Sequence, residues 1–339
     1  MTRDALKTLF HPFEAEALPP PGKSERVLFL GAEPGIRMPE GFEAELSHVQ
    51  GFRPWFRPLE ASGSRVTPLP EGEGYHAALV LCGRHRGANE VLIAEAFERV
   101  GEGGLILIAG SKDDGIASLR KRLGELVPIE DQLPKHHGIA FWLRRPAEVA
   151  SIVEQLQAGN GERLLDGRFA TAPGMFSADE IDAGSRLLVE NLPDKVFGAV
   201  ADFCAGWGFI AAELAGRFPK LFTLDLYEAD FSSLEAAKRN LAATGSMQKN
   251  FFWHDLLGEP VSRRYDFIFM NPPFHQRRTA EPDIGQGMIK AAAAALKPGG
   301  RLIMVANRQL PYEKTLSQVF ATQQELARNS LFKVLSARR

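Results

Sequence analysis

A run of four residues, from Asn271 to Phe274, combines an amide, two prolines and an aromatic ring. Two consecutive prolines fix the backbone and remove two N–H donors, so the amide and the ring beside them are held rigidly. A side-chain carbonyl, a backbone carbonyl and a flat ring can together bind a flat molecule that carries an NH₂ group. We therefore predict that Asn271, Pro272 and Phe274 act on such a group. A purely structural Pro-Pro turn with a buried Phe274 is the alternative.

The segment before this run, residues 265–270, is mostly apolar and aromatic, which predicts a buried strand. That strand would leave Asn271 at its carboxyl end. Open α/β sheets bind their ligands at the carboxyl ends of their strands, so this is a suitable position for a binding residue.

A second candidate site lies upstream, where residues 200–211 predict a strand, a tight turn and the start of a helix. Gly206 and Gly208 permit the turn and allow a ligand to approach the backbone closely. A glycine pattern of this kind would equally suit a nicotinamide dinucleotide. Asp202, four residues before the first glycine, instead favours a ligand with a cationic amino-acid end, unless its side chain only caps the turn.

Two more carboxylates follow predicted strands. Residues 221–227 predict a strand that ends at Glu228, from which a carboxylate can accept both hydroxyls of a ribose. Asp255 follows the predicted strand 251–253 and is placed to accept a hydrogen bond from an adenine amino group, with a plain loop aspartate as the alternative.

Upstream of the glycine turn, Ser177 and Glu180 have the spacing of a capping box. This spacing predicts a helix that begins at Ser177 and continues through Leu188.

The composition is that of a globular protein whose charge is balanced overall. The chain has 339 residues and a formal net charge of −2, so nucleic-acid contacts must come from local patches. The two cysteines lie far apart, which indicates a reduced, cytosolic setting and provides no metal-binding spacing. No apolar run is long enough to span a bilayer, and the N-terminus does not lead into a signal-peptide core. We expect a cytoplasmic protein that needs no metal.

Together these residues resemble the motif series of class I S-adenosylmethionine-dependent methyltransferases. An Asn-Pro-Pro-aromatic motif, here Asn271–Phe274, marks the branch that methylates planar nitrogens. A longer match is similar to the bacterial ribosomal RNA guanine-N2 methyltransferases, those of the small subunit (16S) first and those of the large subunit (23S) next. The resemblance is close from residue 170 to 339 and covers the N-terminal half only in outline. The matching segments are residues 173–177, 182–188, 271–276, 299–307 and 310–312.

The resemblance implies that S-adenosylmethionine is the cofactor, that S-adenosylhomocysteine is a product and that ribosomal RNA or an assembled subunit is the partner. The side-chain oxygen of Asn271 and the carbonyl of Pro272 would accept the two N–H bonds of the guanine amine, while Phe274 stacks on the extruded base. His275, Arg277 and Arg278 are candidate contacts to the RNA. The implied cofactor-binding residues are Asp202, Gly206, Gly208, Glu228, Asp255 and Asn271.

Three other functions remain to be distinguished. A glutamine-amide methyltransferase acting on a protein would use the same motif, but such enzymes usually have Asn-Pro-Pro-Tyr and a helical N-terminal domain. A nicotinamide oxidoreductase would find nothing in the motif that serves hydride transfer. A non-catalytic RNA-binding protein would require a decayed site, whereas every C-terminal motif position is filled here.

The N-terminal half repeats the strand pattern of the C-terminal half without its chemistry, although any two α/β domains share such features. Residues 81–84 read Leu-Cys-Gly-Arg where the second half has Asn-Pro-Pro-Phe, and no acid precedes the turn at Gly31. We predict an α/β fold of two tandem Rossmann-like methyltransferase domains, each with a seven-stranded, mostly parallel sheet, in a monomeric protein. Residues 1–150 would form a degenerate, structural or RNA-binding domain without cofactor. Residues 151–170 would form a linker, and residues 171–339 the catalytic domain.

Overall fold

The computed structural model describes residues 3–35, 37–273 and 282–339. The chain divides into two compact units. The first comprises Met1–Glu162 with Ala172–Gly174, and the second comprises Arg163–Thr171 with Met175–Arg339.

The first unit is built from alternating strands and helices. Its strands are β1 (Arg26–Leu30), β2 (Glu45–Val49), β3 (Arg65–Thr67), β4 (Tyr75–Leu81), β5 (Val100–Ser111), β6 (Asp131–Lys135) and β7 (Gly138–Arg144). Its helices are α1 (Asp4–Glu14), α2 (Arg53–Ala61), α3 (Arg86–Arg99), α4 (Ile116–Gly124) and α5 (Ala150–Gln157).

The second unit follows the same alternation after a short hairpin. Its strands are β8 (Arg163–Leu165), β9 (Phe169–Thr171), β10 (Ala199–Phe203), β11 (Thr223–Glu228), β12 (Gln248–Trp253), β13 (Tyr265–Met270), β14 (Leu296–Asn307), β15 (Thr322–Arg328) and β16 (Phe332–Arg338). Its helices are α6 (Ala183–Glu190), α7 (Phe209–Arg217), α8 (Phe231–Asn240), α9 (Pro282–Ala295) and α10 (Tyr312–Val319). Within the described ranges, no helix of either unit combines the length and hydropathy needed to cross a membrane.

Each unit contains a seven-stranded sheet, and the two sheets have the same strand order. The first runs β3-β2-β1-β4-β5-β7-β6 and the second β12-β11-β10-β13-β14-β16-β15. In each sheet the sixth strand in this order pairs antiparallel with both neighbours, and the other pairings are parallel. Parallel neighbours require helical crossovers, which cover the sheet and explain the nearly continuous apolar runs of β4 and β13. The predicted α/β fold with two Rossmann-like sheets is confirmed.

The segment predicted as a linker, residues 151–170, is not a free connection. Helix α5 belongs to the first unit and packs on α3. Its buried residues Ile152, Val153 and Leu156 have the spacing of one helix face. The hairpin β8–β9 belongs to the second unit. The glycines at 159 and 161 therefore mark a turn between two packed elements, not an unstructured linker.

A buried polar network links three strands of the second unit. Asp225 on β11 is fully buried, and its carboxylate accepts hydrogen bonds from the Tyr265 hydroxyl at 2.7 Å and from Asn250 Nδ2 at 2.7 Å. Arg263 completes the set with an ion pair to Asp225 at 3.0 Å. The hydroxyls of Tyr227 and Tyr265 are 2.7 Å apart. A buried carboxylate is stable only when its oxygens are satisfied in this way.

We predict that Tyr265→Phe lowers the free energy of unfolding by about 1–3 kcal/mol, because it removes a donor from a buried carboxylate and a partner from Tyr227. Tyr312→Phe is the matched control. Tyr312 is also fully buried, but its hydroxyl has no hydrogen-bond partner among the described residues. The control should therefore leave stability unchanged or raise it. Urea unfolding of both variants checks this, and equal losses would contradict the assigned network.

Candidate cofactor and substrate site

A cleft lies where the strand order of the second sheet reverses, between β10 and β13. Helices leave the sheet in opposite directions at such a point, which opens a crevice at the carboxyl ends of the strands. Gly206 and Trp207 of the turn after β10 line this cleft, together with Asn271 after β13 and Asp182 and Ser185 at the start of α6. The structure therefore brings the two predicted motifs together.

The turn between β10 and α7 depends on its glycines. Gly208 has φ of +88°, and an added Cβ would lie 2.7 Å from Cδ1 of Leu241 and 3.1 Å from Cβ of Ala237, so this position favours glycine. Gly206 has φ of +54°, and an added Cβ would meet no atom within 4 Å. Its open side leaves room for a ligand against the backbone, as expected for a cofactor-binding turn.

Asp202 lies on β10 and is fully buried. Its Oδ2 accepts a hydrogen bond from the backbone N–H of Ala211 at 3.0 Å, so it caps the first turn of α7. Its Oδ1 is buried and has no partner among the described residues. Burial raises the pKa of Asp202 well above its ordinary value, and the nearby charge of Glu228 raises it further, against the lowering effect of the Ala211 N–H. The capping role and a free acceptor oxygen are thus both present.

Glu228 ends β11 and holds the glycine turn. Its Oε2 accepts a hydrogen bond from the N–H of Gly206 at 2.7 Å, and its Oε1 accepts one from the N–H of Asp230 at 2.8 Å. Burial raises the pKa of Glu228 to about 7, although these two N–H groups act in the opposite direction. Each carboxylate oxygen has a second lone pair, so Glu228 can still accept ligand hydroxyls.

Asp255 does not line the cleft among the described residues. It follows β12, and its Oδ1 accepts a hydrogen bond from the N–H of Leu257 at 3.0 Å. Its own N–H donates to Oε2 of Glu259 at 2.8 Å. These contacts build a turn at the carboxyl end of the strand next to β11, and an adenine contact by Asp255 stays a prediction.

The amide of Asn271 has one defined orientation. Its Nδ2 donates to Oδ2 of Asp182 at 2.9 Å and to Oγ of Ser185 at 2.7 Å. Its Oδ1 is buried and has no partner among the described residues. A flipped amide would set its oxygen against the carboxylate, so the network determines which atom is the acceptor. The free oxygen is therefore available to an N–H donor from a ligand.

Asp182 serves two groups with one oxygen. Its Oδ2 also accepts from the N–H of Ser185 at 2.7 Å and so caps α6. The predicted capping box at Ser177 and Glu180 is therefore wrong: α6 begins at Ala183, and Ser177 has a left-handed φ of +50°. The spacing of Asp182 and Ser185 is itself a capping signal, but the sequence analysis did not select either residue as a site residue.

The hairpin β8–β9 supports the turn between β10 and α7, a contact that the sequence analysis did not predict. The side chain of Asn240 accepts from the N–H of Ala170 at 2.7 Å and donates to the carbonyls of Ala170 and Trp207 at 3.0 and 2.8 Å. Phe169 packs against the ring of Trp207 at a centroid distance of 5.2 Å. The indole N–H of Trp207 donates to the carbonyl of Phe176 at 2.9 Å. No local sequence signal identifies these long-range partners.

Pro272 is buried directly after Asn271. Four other predicted site residues lie outside the described residues, namely Phe274, His275, Arg277 and Arg278. Their roles stay predictions.

The donor and acceptor set fits S-adenosylmethionine. The cleft and its neighbourhood offer acceptors, with buried, partnerless oxygens on Asp202 and Asn271 and a carboxylate on Glu228. A cationic amino acid joined to a ribose supplies donors of the matching kind. The open side of Gly206 provides the close backbone approach that such a ligand needs.

Comparisons with known proteins identify the family of this chain. Residues 166–336 match the family model described as "Methyltransferase small domain". The chain is 32% identical over 276 residues to the ribosomal RNA small subunit methyltransferase C of Shewanella piezotolerans (strain WP3 / JCM 13877), covering 79% of this chain and 78% of the relative. It is 32% identical over 320 residues to the protein of the same name from Salmonella choleraesuis (strain SC-B67), covering 92% of each.

A solved structure is similar over nearly the whole chain. It is the T. thermophilus 16S rRNA N2 G1207 methyltransferase (RsmC) in complex with AdoMet and guanosine, with a TM-score of 0.78 and 25% sequence identity. The similarity covers 99% of this chain and 93% of that chain.

We predict that Glu228→Gln changes how stability depends on pH. The folded protein holds a proton on Glu228 that the unfolded chain releases, so wild-type stability is lost as pH rises from 4.5 to about 7. Relative to wild type, the variant should gain on the order of 3 kcal/mol across this window.

Urea unfolding of the ligand-free protein at several pH values measures this difference. Asp202→Asn should shift it in the same direction, because burial also raises the pKa of Asp202. Titration calorimetry with S-adenosylmethionine separates stability from binding, since Glu228→Gln should bind the cofactor more weakly. A stability difference that is constant with pH would refute the raised pKa.

Proposed function

Because the chain belongs to the methyltransferase small domain family, and within it to the ribosomal RNA small subunit methyltransferase C proteins, we propose that it methylates the exocyclic N2 amine of a guanine in 16S ribosomal RNA. The family, the methyltransferase class and the S-adenosylmethionine cofactor predicted from the sequence are confirmed. Whether the RNA is free or assembled is a question for the substrate assay below.

The observation that carries this proposal is the orientation of the Asn271 amide. Asn271 lines the cleft, and Asp182 and Ser185 bind its nitrogen, so its oxygen is left as an acceptor without a partner among the described residues. The carboxylate of Asp182 also polarises the amide, because a charge-assisted hydrogen bond at nitrogen increases the negative charge on oxygen. This arrangement suits a substrate that presents an NH₂ group.

The chemistry requires alignment more than acid–base catalysis. S-adenosylmethionine, when bound, supplies a methyl group on a positively charged sulfur. The lone pair of the guanine amine is delocalised into the ring, which makes the nitrogen a poor nucleophile. The Asn271 oxygen and the Pro272 carbonyl accept its two N–H bonds, which favours a tetrahedral nitrogen with an available lone pair. Fixed acceptors of this kind need no reorganisation during the reaction.

The residues around the glycine turn bind the cofactor. Asp202 and Glu228 supply acceptors for the amino-acid and ribose groups, and Gly206 provides the close backbone approach. Asp255 contacts the adenine. Phe274 stacks on the extruded base, and His275, Arg277 and Arg278 contact the RNA; these four residues lie outside the described residues.

The first unit has the same framework without these groups. The N–H of Ala32 donates to the carbonyl of Val49 at 3.1 Å, and in the second unit the N–H of Ala205 donates to the carbonyl of Tyr227. These equivalent hydrogen bonds align the turns of the two units. These bonds and the strand pairing identify the residues of the first unit that occupy the positions of four site residues. None of these residues can serve the same chemistry. The replacements, given with the residue replaced, are Phe29 for Asp202, Glu33 for Gly206, Gln50 for Glu228 and Leu81 for Asn271.

An ion pair fills the corresponding turn of the first unit. Arg3 binds Glu33 at 2.9 Å and donates to the carbonyl of Cys82 at 3.2 Å. Glu33 thus places a buried side chain where Gly206 leaves open space. We propose that the first unit has a structural or RNA-binding role and binds no cofactor. We further propose that the protein acts as a monomer in the cytoplasm.

The direct test is transfer of label from tritiated S-adenosylmethionine to ribosomal subunits and RNA from a strain that lacks this protein. We expect label in N2-methylguanosine of the small subunit, identified by mass spectrometry. Label in the large subunit would instead assign the large-subunit reaction, and label only in protein would assign glutamine methylation. Absence of label in every fraction would refute the proposal.

We predict that Asn271→Ala lowers kcat by about 100-fold or more, while S-adenosylmethionine still binds. Asp182→Asn keeps a helix cap of the same shape but removes the charge, so kcat should fall by about tenfold with little change in KM.

Asp179→Asn is the matched control for the second variant. Asp179 is an exposed carboxylate nearby in sequence that pairs with Arg163 instead of Asn271. Equal kcat values for Asp182→Asn and the control would show that the amide does not depend on Asp182.

A further inference from the structure

A wide groove lies on the second sheet, at the end opposite the Asn271 cleft. Its cavity volume is about 670 Å³. Residues at the starts of β13 and β15, the end of β16, the turn within β14 and the loop before β10 line it. The groove is therefore separate from the cofactor site, on the same unit.

Comparison with the first unit shows that this surface differs in chemistry, although α6 packs on β14 and β16 as α1 packs on the equivalent strands. In the first unit α1 packs on β5 and β7, and Leu105 and Trp142 are buried beneath it. Strand pairing places Arg301 and Ser336 of the second unit at the positions of Leu105 and Trp142. Arg301 and Ser336 are polar, whereas the residues buried under α1 are apolar, so the groove is a polar surface.

Three cations line the groove. Lys195 and Arg338 are exposed, and Arg301 is half-buried. Arg301 Nε donates to Oγ of Ser336 at 2.7 Å, and Arg338 Nε donates to the carbonyl of Gly299 at 3.3 Å. These hydrogen bonds orient both guanidinium groups but leave their charge uncompensated, since neither arginine nor Lys195 forms an ion pair with any described residue.

The carboxylate of Asp266, which also lines the groove, is already neutralised. Its Oδ2 binds Lys297 at 2.7 Å and accepts from the N–H of Ala199 at 2.8 Å. The groove is therefore positive, although the whole protein has a net charge of −2. A local concentration of cations on a near-neutral protein favours a polyanion of defined shape.

An aromatic ring stands at the edge of these charges. Phe197 is 61% exposed, and its ring packs edge-to-face on Phe267 with centroids 5.3 Å apart at 84°. One face of a supported, exposed ring can stack on a base, and cations beside such rings are the common plan of single-strand binding surfaces.

We propose that the groove binds a single-stranded segment of the substrate RNA, with phosphates on Lys195, Arg301 and Arg338 and a base stacked on Phe197. This proposal rests on the proposed function for the identity of its ligand. It assigns the second unit an RNA contact that lies away from the methylated guanine. The contact would hold the substrate while the target base enters the cleft.

The test measures binding of a fluorescein-labelled, single-stranded oligoribonucleotide of about ten nucleotides, a length typical of such surfaces. Replacing Lys195, Arg301 and Arg338 together by glutamine should raise Kd by about tenfold. It should also reduce the slope of log Kd against log salt by about 2, since three phosphate contacts are lost. Phe197→Ala should raise Kd by about tenfold without changing that slope.

The control replaces Lys220, Lys238 and Lys249 by glutamine, which makes the same charge change on the same unit outside the groove. An unchanged Kd and slope in the groove variants, or an equal change in the control, would overturn the proposal. Polyglutamate of the same length is the second probe. Parallel loss of polyglutamate and RNA binding would mark a general anion surface, and a change in sedimentation would mark contact between copies of the chain; either outcome overturns the assignment to RNA.

The same variants distinguish this inference from the proposed function. If the wild-type protein labels no ribosomal RNA, the proposed function fails, yet oligoribonucleotide binding still tests the groove. If the wild type labels small subunits and the groove variants keep its KM for subunits, the groove inference fails alone. Affinity for S-adenosylmethionine should be equal in all of these variants, since none of the replaced residues lines the cofactor cleft.

Discussion

The amide of Asn271 can serve a substrate because its nitrogen is already bound. Two hydrogen bonds, to Asp182 and Ser185, turn a side chain with two possible orientations into an acceptor with one. The same oxygen of Asp182 caps α6, so the start of that helix and the orientation of the amide depend on each other. The cleft, the helix and the acceptor are therefore parts of one arrangement, and the rigid prolines after Asn271 preserve it.

The acceptors of this site destabilise the protein that carries them. Asp202 and Glu228 are carboxylates in a poorly solvated position, and burial raises the pKa of each. Ligand groups that donate hydrogen bonds or carry positive charge would offset the free-energy cost of burying these carboxylates. Part of the free energy of cofactor binding would therefore come from removing this cost. The first unit has Phe29 and Gln50 at these positions and keeps the same sheet order. The fold therefore does not require these two carboxylates.

One topology supports two different surfaces in this chain. In the first unit α1 covers apolar residues of β5 and β7, whereas the corresponding positions of the second unit carry Arg301 and Ser336. Because the backbone pairing is the same and a helix packs on the equivalent strands of each unit, the difference lies in side-chain polarity. A repeated framework can therefore provide an apolar core in one copy and a polar, cationic groove in the other.

The sequence by itself determined the two α/β repeats, the glycine turn and the strand before Asn271, because these depend on local periodicity and turn chemistry. It misplaced the start of α6 and read α5 and the hairpin β8–β9 as a linker. Which cap forms and which elements pack together depends on residues that lie far apart in the sequence. Only the tertiary structure decided which atom of Asn271 is left as the acceptor, since Asp182 lies 89 residues away in the chain. It alone placed Asn240 behind the glycine turn, 70 residues from Ala170. Contacts of this kind form only after the strands have paired, so no local pattern of residues encodes them.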